Sequence, residues 1–326
     1  MLLRKFLVWI LLAAGLINAI GCATLPANTN RSESVAYTDT HDTYLGQVSA
    51  PEKLNNPDKS GFKLLGNGLD SFVARAVLAH TAQKSIDAQY YLFHNDLTGK
   101  LFMDQLLKAA DRGVRVRLLV DNMGLEGSDM GAMAMDLHPN IELRIFNPFS
   151  RKAGRTLQFI TGFGTKTRRM HNKSFTVDNQ FTILGGRSNI GDEYFDAQPD
   201  LAFADLDVLA MGPVVNQVSA SFDRYWNHNL AYPALTLMGK PPSLEQITKK
   251  RQELNEFIAR QTDSPYLRAL KDSNLAKNCE KIKKPIIGAM PRSFPMPRKK
   301  SSRTGVKPNF TRPPNWHLTW KALIEN

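Results

Sequence analysis

Residues 98–121 read TGKLFMDQLLKAADRGVRVRLLVD, and a change of period inside this stretch decides the fold. Leu101, Phe102, Leu106 and Ala109 recur at helical spacing up to Gly113, where a helix stops. Val114, Val116, Leu118 and Val120 then alternate as one face of a strand that ends at Asp121. The same scheme stands just upstream: Leu69, Phe72, Val73, Ala76, Val77 and His80 at helical spacing, then Ile86, Ala88 and Tyr90 at strand spacing. Downstream, the spacing predicts strands over 141–146 and 206–211 and a strand pair over 173–177 and 181–184 around Asp178-Asn179. It also predicts a helix over 213–226, with Pro213 in its first turn. Ser243-Leu244-Glu245-Gln246 has the form of a capping box opening a last helix. This alternation predicts an α/β fold, a sheet covered by helices on both faces.

The chain of 326 residues is 42% hydrophobic, enough for a substantial core, and carries a formal charge of +12. The excess sits at the ends: Lys281 onward holds eleven Lys or Arg against Glu325 alone, and Arg4 with Lys5 supplies the rest. Residues 21–280 therefore sum to zero. A basic balance confined to the termini says little about the substrate of the folded core.

Arg4 and Lys5 precede an apolar run, Phe6 to Ile20, that ends in Ala19-Ile20-Gly21-Cys22. This is the anatomy of an export signal, too short to span a bilayer comfortably. Its Gly-Cys ending resembles a bacterial lipoprotein cleavage site, with Cys22 as the lipidated residue. The expectation is an exported, membrane-associated protein on the periplasmic face; an uncleaved anchor and simple secretion are the alternatives. Residues 23–60 are polar, without apolar periodicity, and read as a flexible tether. The folded lobe then runs over 61–270. Residues 271–326, dense in Lys, Arg and Pro, read as a disordered tail or the product of a shifted frame or truncation. Cys279 is the only other cysteine, so no disulfide framework or zinc site is implied.

The sharpest local signal is His171-Asn172-Lys173-Ser174-Phe175-Thr176-Val177-Asp178, followed by Gly185-Gly186-Arg187-Ser188-Asn189. His, Lys and Asp at this spacing arise by chance about one time in fifty in a chain of this length, so context must carry the reading. Arg168-Arg169-Met170 before the motif, Gly191 to Phe195 after it, and Gln89-Tyr90-Tyr91 and Phe146-Asn147-Pro148-Phe149 upstream supply that context. Together they resemble the phospholipase D superfamily with its HxKxxxxD motif, in the bacterial cardiolipin synthase branch, over about residues 61–270. The resemblance implies a mixed sheet covered by helices on both faces, one of the two lobes of the full enzyme.

On a strand, His171 and Lys173 share one face, so an imidazole and an ammonium can meet one phosphate. Phosphoryl transfer needs a nucleophile, positive charge on the non-bridging oxygens and an acid for the leaving oxygen. His171 is the expected nucleophile and Lys173 the charge. Asn189, with Ser188 or the Gly185 and Gly186 amides, would complete the cradle. Asp178 belongs to the site by resemblance, and its place along the strand suits it to orienting the motif loop. Alignment to the family's strand after the motif suggests Asp205 as the carboxylate fixing the imidazole tautomer, with Asp207 an even alternative. No cofactor and no metal is expected, since His171 and Lys173 provide what a metal otherwise would.

Other residues have plainer readings. Arg151, Lys152, Arg155, Lys166, Arg168 and Arg169 form a basic run that is a solvated loop or a contact for anionic head groups. Tyr90, Tyr91 and Phe93 read as core, His94 as a loop residue, and Gly66-Asn67-Gly68 as a turn. Two features depart from the family. Asn189 arrives one residue late, as if Ser188 were inserted, and the family's second HxKxxxxD motif is absent: none of His41, His80, His94, His138, His228 or His317 has Lys two residues later. Three functions follow: a phosphatidyltransferase on a phosphatidylglycerol-like lipid at a membrane surface, a homodimeric phosphodiesterase or nuclease, or a non-catalytic binding protein. The N-terminus and the family context favour lipid over nucleic acid, since a polybasic tail binds polyanions whatever its origin.

Overall fold

The computed structural model describes residues 25–29, 31–124, 135–150, 167–186, 189–198, 206–237, 242–273 and 275. The expectations placed on Cys22, Ser188, Asp205 and residues 276–326 fall outside them. Three strands, β2 (Ser85–Leu92), β3 (Arg115–Gly124) and β4 (Ile141–Phe146), lie parallel. On the other side of β2 the chain returns antiparallel as β5 (Ser174–Val177), its hairpin partner β6 (Phe181–Leu184) and β7 (Asp207–Met211). Edge strands β1 (Gly61–Leu65) and β8 (Ala231–Pro233) complete a mixed sheet of order β1-β7-β6-β5-β2-β3-β4-β8.

Two helices, α2 (Gly68–Thr81) and α3 (Leu97–Asp111), bury one side of this sheet. Ile86, Ala88 and Tyr90 of β2, Val116, Leu118 and Val120 of β3, and Phe175 and Val177 of β5 all enter that core. Each helix starts on a side-chain cap, Asn67 for α2 and Asp96 for α3, which supplies an acceptor to otherwise orphaned N–H groups. Helix α4 (Pro213–Trp226) covers the other face, packing on β2, β5, β6 and β7. That face is polar. Asp87, Arg117, Arg144, Thr176 and Thr182 are buried there, and Arg117 bridges Asp87 at 2.7 Å and Asp223 of α4 at 2.8 Å. Short helix α5 (Ala234–Leu237) follows β8, and α6 (Leu244–Gln261) opens on the expected capping box at Ser243 and Gln246. Helix α7 (Pro265–Asp272) closes the order, resting on α2. Among the described residues, no helix is long and apolar enough to cross a membrane.

The tether reading is corrected for residues 31–60. Arg31 donates to the Asn227 and His228 carbonyls, Ser34 accepts from Trp226 Nε1 at 2.9 Å, and the Ala36 N–H donates to Asp223 at 3.0 Å. Helix α1 (Tyr44–Asn55) follows, capped by Thr43, with Ser49 hydrogen-bonded to Gln180 at 3.0 Å. Backbone and polar side chains hold this segment in place, with Leu45 as its one fully buried large apolar anchor. Apolar periodicity, the signal used to judge it, is blind to such an attachment.

Candidate active site

His171 and Lys173 precede β5, and the ladder reaches back to them: the Gly185 N–H donates to the Lys173 carbonyl at 3.1 Å. The His171 side chain is exposed, whereas Lys173 is buried. Lys173 Nζ lies 3.4 Å from His171 Nδ1 and donates to the His171 carbonyl at 2.9 Å. The ring of Tyr91, at the bulged end of β2, meets the imidazole edge-on with centroids 4.8 Å apart. Partial burial and then the Lys173 ammonium hold the His171 pKa below the ordinary histidine value, opposed by the Asp121 carboxylate. Both lowering effects favour the neutral imidazole, the form with a lone pair to donate.

Asp121 stands where β3 nears its end, fully buried. It accepts the N–H groups of Met170 at 2.8 Å and Met123 at 2.9 Å and pairs with Arg169 at 3.0 Å. Burial raises its own pKa against these partners. Arg169 also donates to the carbonyls of Phe146, at 3.2 Å, and Asn147, at 2.7 Å, so the residues just before His171 are clamped to the ends of β3 and β4. Arg169 thus serves as a structural clamp, whereas the basic-run reading had made it a solvated residue or a head-group contact.

The remaining expected site residues do not all stay with the motif. Asp178 occupies the β5–β6 turn, at the end of β5 remote from His171, with φ +49. Its carboxylate accepts the N–H groups of Gln83 at 3.0 Å, Lys84 at 2.7 Å and Ser85 at 2.9 Å, tying the turn to the start of β2. Asn189 is buried, and its Oδ1 accepts the Leu92 N–H at 2.9 Å. Asp207 is ion-paired with Arg75 of α2 at 2.7 Å, both fully buried, and so is committed away from His171. Gly185 and Gly186 stay beside the motif through the bond to Lys173.

The model of the family described as "Cardiolipin synthase, PLD-like domain" matches residues 77–226, a range that holds every one of these motif residues. Residues 77–226 form a phospholipase D-like domain. Cardiolipin synthase C of Escherichia coli is 42% identical over 241 residues, 71% of this chain and 50% of that protein. An uncharacterized protein of Helicobacter pylori is 39% identical over 240 residues, 73% of this chain and 47% of that one. The chain thus spans about half the length of these curated relatives. Among solved structures, the phospholipase D family member Nuc from Salmonella typhimurium aligns with TM-score 0.38 and 18% identity, over 54% of this chain and 98% of that one.

Within this phospholipase D-like domain, sequence reasoning missed Asp121 as a site residue, and Tyr91, read as core, is half-buried against His171. The signal for Asp121 was present: an acid at the carboxyl end of an apolar parallel strand, where open α/β sheets place their sites. Near the same edge His94, Asp96 and Glu193 come within 4.8 Å of one another, a group the sequence did not suggest. His94 Nδ1 lies 3.2 Å from Glu193, while Asp96 accepts the N–H groups of Gly99 at 2.9 Å and Asp192 at 2.8 Å as the cap of α3.

Proposed function

We propose that the chain is a phospholipase D-type phosphatidyltransferase or phosphodiesterase acting on phospholipids through a phosphohistidine at His171. The observation that carries this reading is the exposed His171 imidazole held 3.4 Å from the buried Lys173 ammonium. Nδ1 faces Lys173, which leaves Nε2 to attack phosphorus. The P–N bond forms as the P–O bond to the leaving alcohol breaks, and Lys173 balances the negative charge that gathers on the non-bridging oxygens. The leaving oxygen takes a proton from an acid; an acceptor alcohol or water then cleaves the P–N bond and returns the imidazole. In a homodimer, the imidazolium form of His171 from a second copy would be that acid, and as the free base it would take the acceptor's proton. Lipidation of Cys22 would keep the domain at a membrane surface, where a phosphatidylglycerol-like substrate resides.

The test is incubation of the mature chain and of His171→Ala with head-group- and phosphate-labelled phosphatidylglycerol, quenched in acid and in base. An acid-labile, base-stable phosphoryl-protein and a lipid product in the unmutated chain alone support the reading. Label transfer from a phosphodiester oligonucleotide but not from lipid would reassign the substrate. No adduct with either, from folded protein, would make the chain a binding protein.

A further inference from the structure

Helices α3 and α6 meet at Lys100 and Phe257 and at Asp111 and Arg251 but leave space between these contacts. Leu254 and Ile258 touch the core, yet no side chain of α6 is fully buried. Between the helices lies a groove of about 880 Å³, within the ordinary range for ligand sites. Its floor is apolar: Met103 and Leu107 of α3, Met135, and Leu254 and Phe257 of α6. Its lining carries four cations, Lys100, Lys250, Arg251 and Arg260, against the single carboxylate of Glu253.

The cations divide into two sets. Lys250 pairs with Glu253 at 2.6 Å and Arg251 pairs with Asp111, which neutralises one end of the groove. At the other end Lys100 lies over the Phe257 ring at 4.5 Å, and Arg260, three residues beyond Phe257, shares that face of α6. Asn95 lines the groove at this end, four residues from the Tyr91 that touches His171, a reach of at most about 14 Å of chain. Among the described residues neither Lys100, which donates to the Asn95 carbonyl at 3.2 Å, nor Arg260 is ion-paired, and theirs is the end nearest the catalytic motif. Nucleic acid would need the cations but not an apolar floor, and an apolar peptide would need the floor but not the cations.

We infer that this groove binds a single-chain anionic amphiphile, the acyl chain of a phospholipid lying along Met103, Leu107 and Leu254 with its phosphate on Lys100 and Arg260. The ligand class rests on the phospholipid reading above; the binding does not depend on catalysis. The probe is fluorescently tagged lysophosphatidylglycerol below its micellar concentration, titrated into the full chain and followed by anisotropy. One saturable site per chain is expected. Arg260→Glu and Leu254→Glu each weaken it about tenfold or more, the worth of one charge-assisted hydrogen bond or a buried apolar side chain. Lys250→Ala, a residue already paired, leaves it within about twofold and controls for folding. Inorganic phosphate and an uncharged monoacylglycerol of the same chain length each compete more weakly than the intact lipid.

No saturable binding, binding indifferent to Leu254→Glu, or equal competition by an oligonucleotide overturns the proposal, as does binding to phosphatidylglycerol vesicles but not to monomeric lipid. His171→Ala separates the two claims, since it retains the groove site. Lipid binding without any phosphohistidine sinks the catalytic reading alone, and a phosphohistidine without groove binding sinks this one alone.

Discussion

Asp121 accepts the backbone N–H of Met170 at 2.8 Å, so a fully buried carboxylate on β3 fixes the residue immediately before His171. Its charge also raises the proton affinity of the imidazole, against the lowering by burial and Lys173. Asp121→Asn keeps much of the shape and removes the charge. The His171 titration, followed by NMR of the ring protons, should then move to lower pH than in the wild type. Phosphoryl transfer should fall by about tenfold or more, as when a positioning interaction worth over 1 kcal/mol is lost. An unmoved His171 titration would detach Asp121 from the site.

Asp178 makes a contrasting case. Three backbone N–H groups converge on its carboxylate, that of Ser85 buried and those of Gln83 and Lys84 partly so, and each would lose its acceptor in Asp178→Ala. At about 1–3 kcal/mol per orphaned group, partly relieved by water, the variant should lose on the order of 3 kcal/mol in urea unfolding. Transfer per folded molecule should persist within a few fold. Loss of activity in a variant that is still folded would place Asp178 in the chemistry.

What the sequence revealed and what it concealed divide along one line. Alternation and helical spacing located β2, α3, β3 and α4 to within about three residues, because each is held by an apolar face. Segments held by polar contacts left no such trace: Ser34 sits against Trp226 at a separation of 192 residues. The His171–Lys173 pair was legible from local spacing alone. Asp121 was legible only as an acid at the carboxyl end of a strand; its partner Met170 lies 49 residues away, so local spacing did not tie it to His171. Asp207 attracted attention by standing on the strand after the motif, but its partner Arg75 comes from a helix that precedes the motif by about a hundred residues.

That Arg75–Asp207 pair gives a third prediction. Both side chains are fully buried, and Arg75 also donates to Tyr90 Oη and to the Ser71 carbonyl. Arg75→Met alone strands a carboxylate in the core and should cost about 3–5 kcal/mol. The double variant Arg75→Met, Asp207→Leu should recover most of that loss, since an apolar pair needs no ion. Asp207→Asn should leave the His171 titration where it is; a shift would return Asp207 to the site.

Asp136 links stability to pH. Burial pushes its pKa up to about 6, although it accepts the N–H groups of Leu143 at 2.6 Å and Leu235 at 3.2 Å. The unfolded chain holds this proton only up to the ordinary carboxylate pKa near 3.9. Between these values the folded state binds more protons than the unfolded one, so stability must fall as pH rises through the window from about 4 to about 6. A difference of about two pKa units corresponds to roughly 3 kcal/mol, spread over that window. Urea midpoints at pH 4, 5, 6 and 7 should therefore decline by more in the wild type than in Asp136→Asn, which has no proton to lose. Parallel profiles in the two proteins would show that Asp136 ionises alike in the folded and unfolded chains.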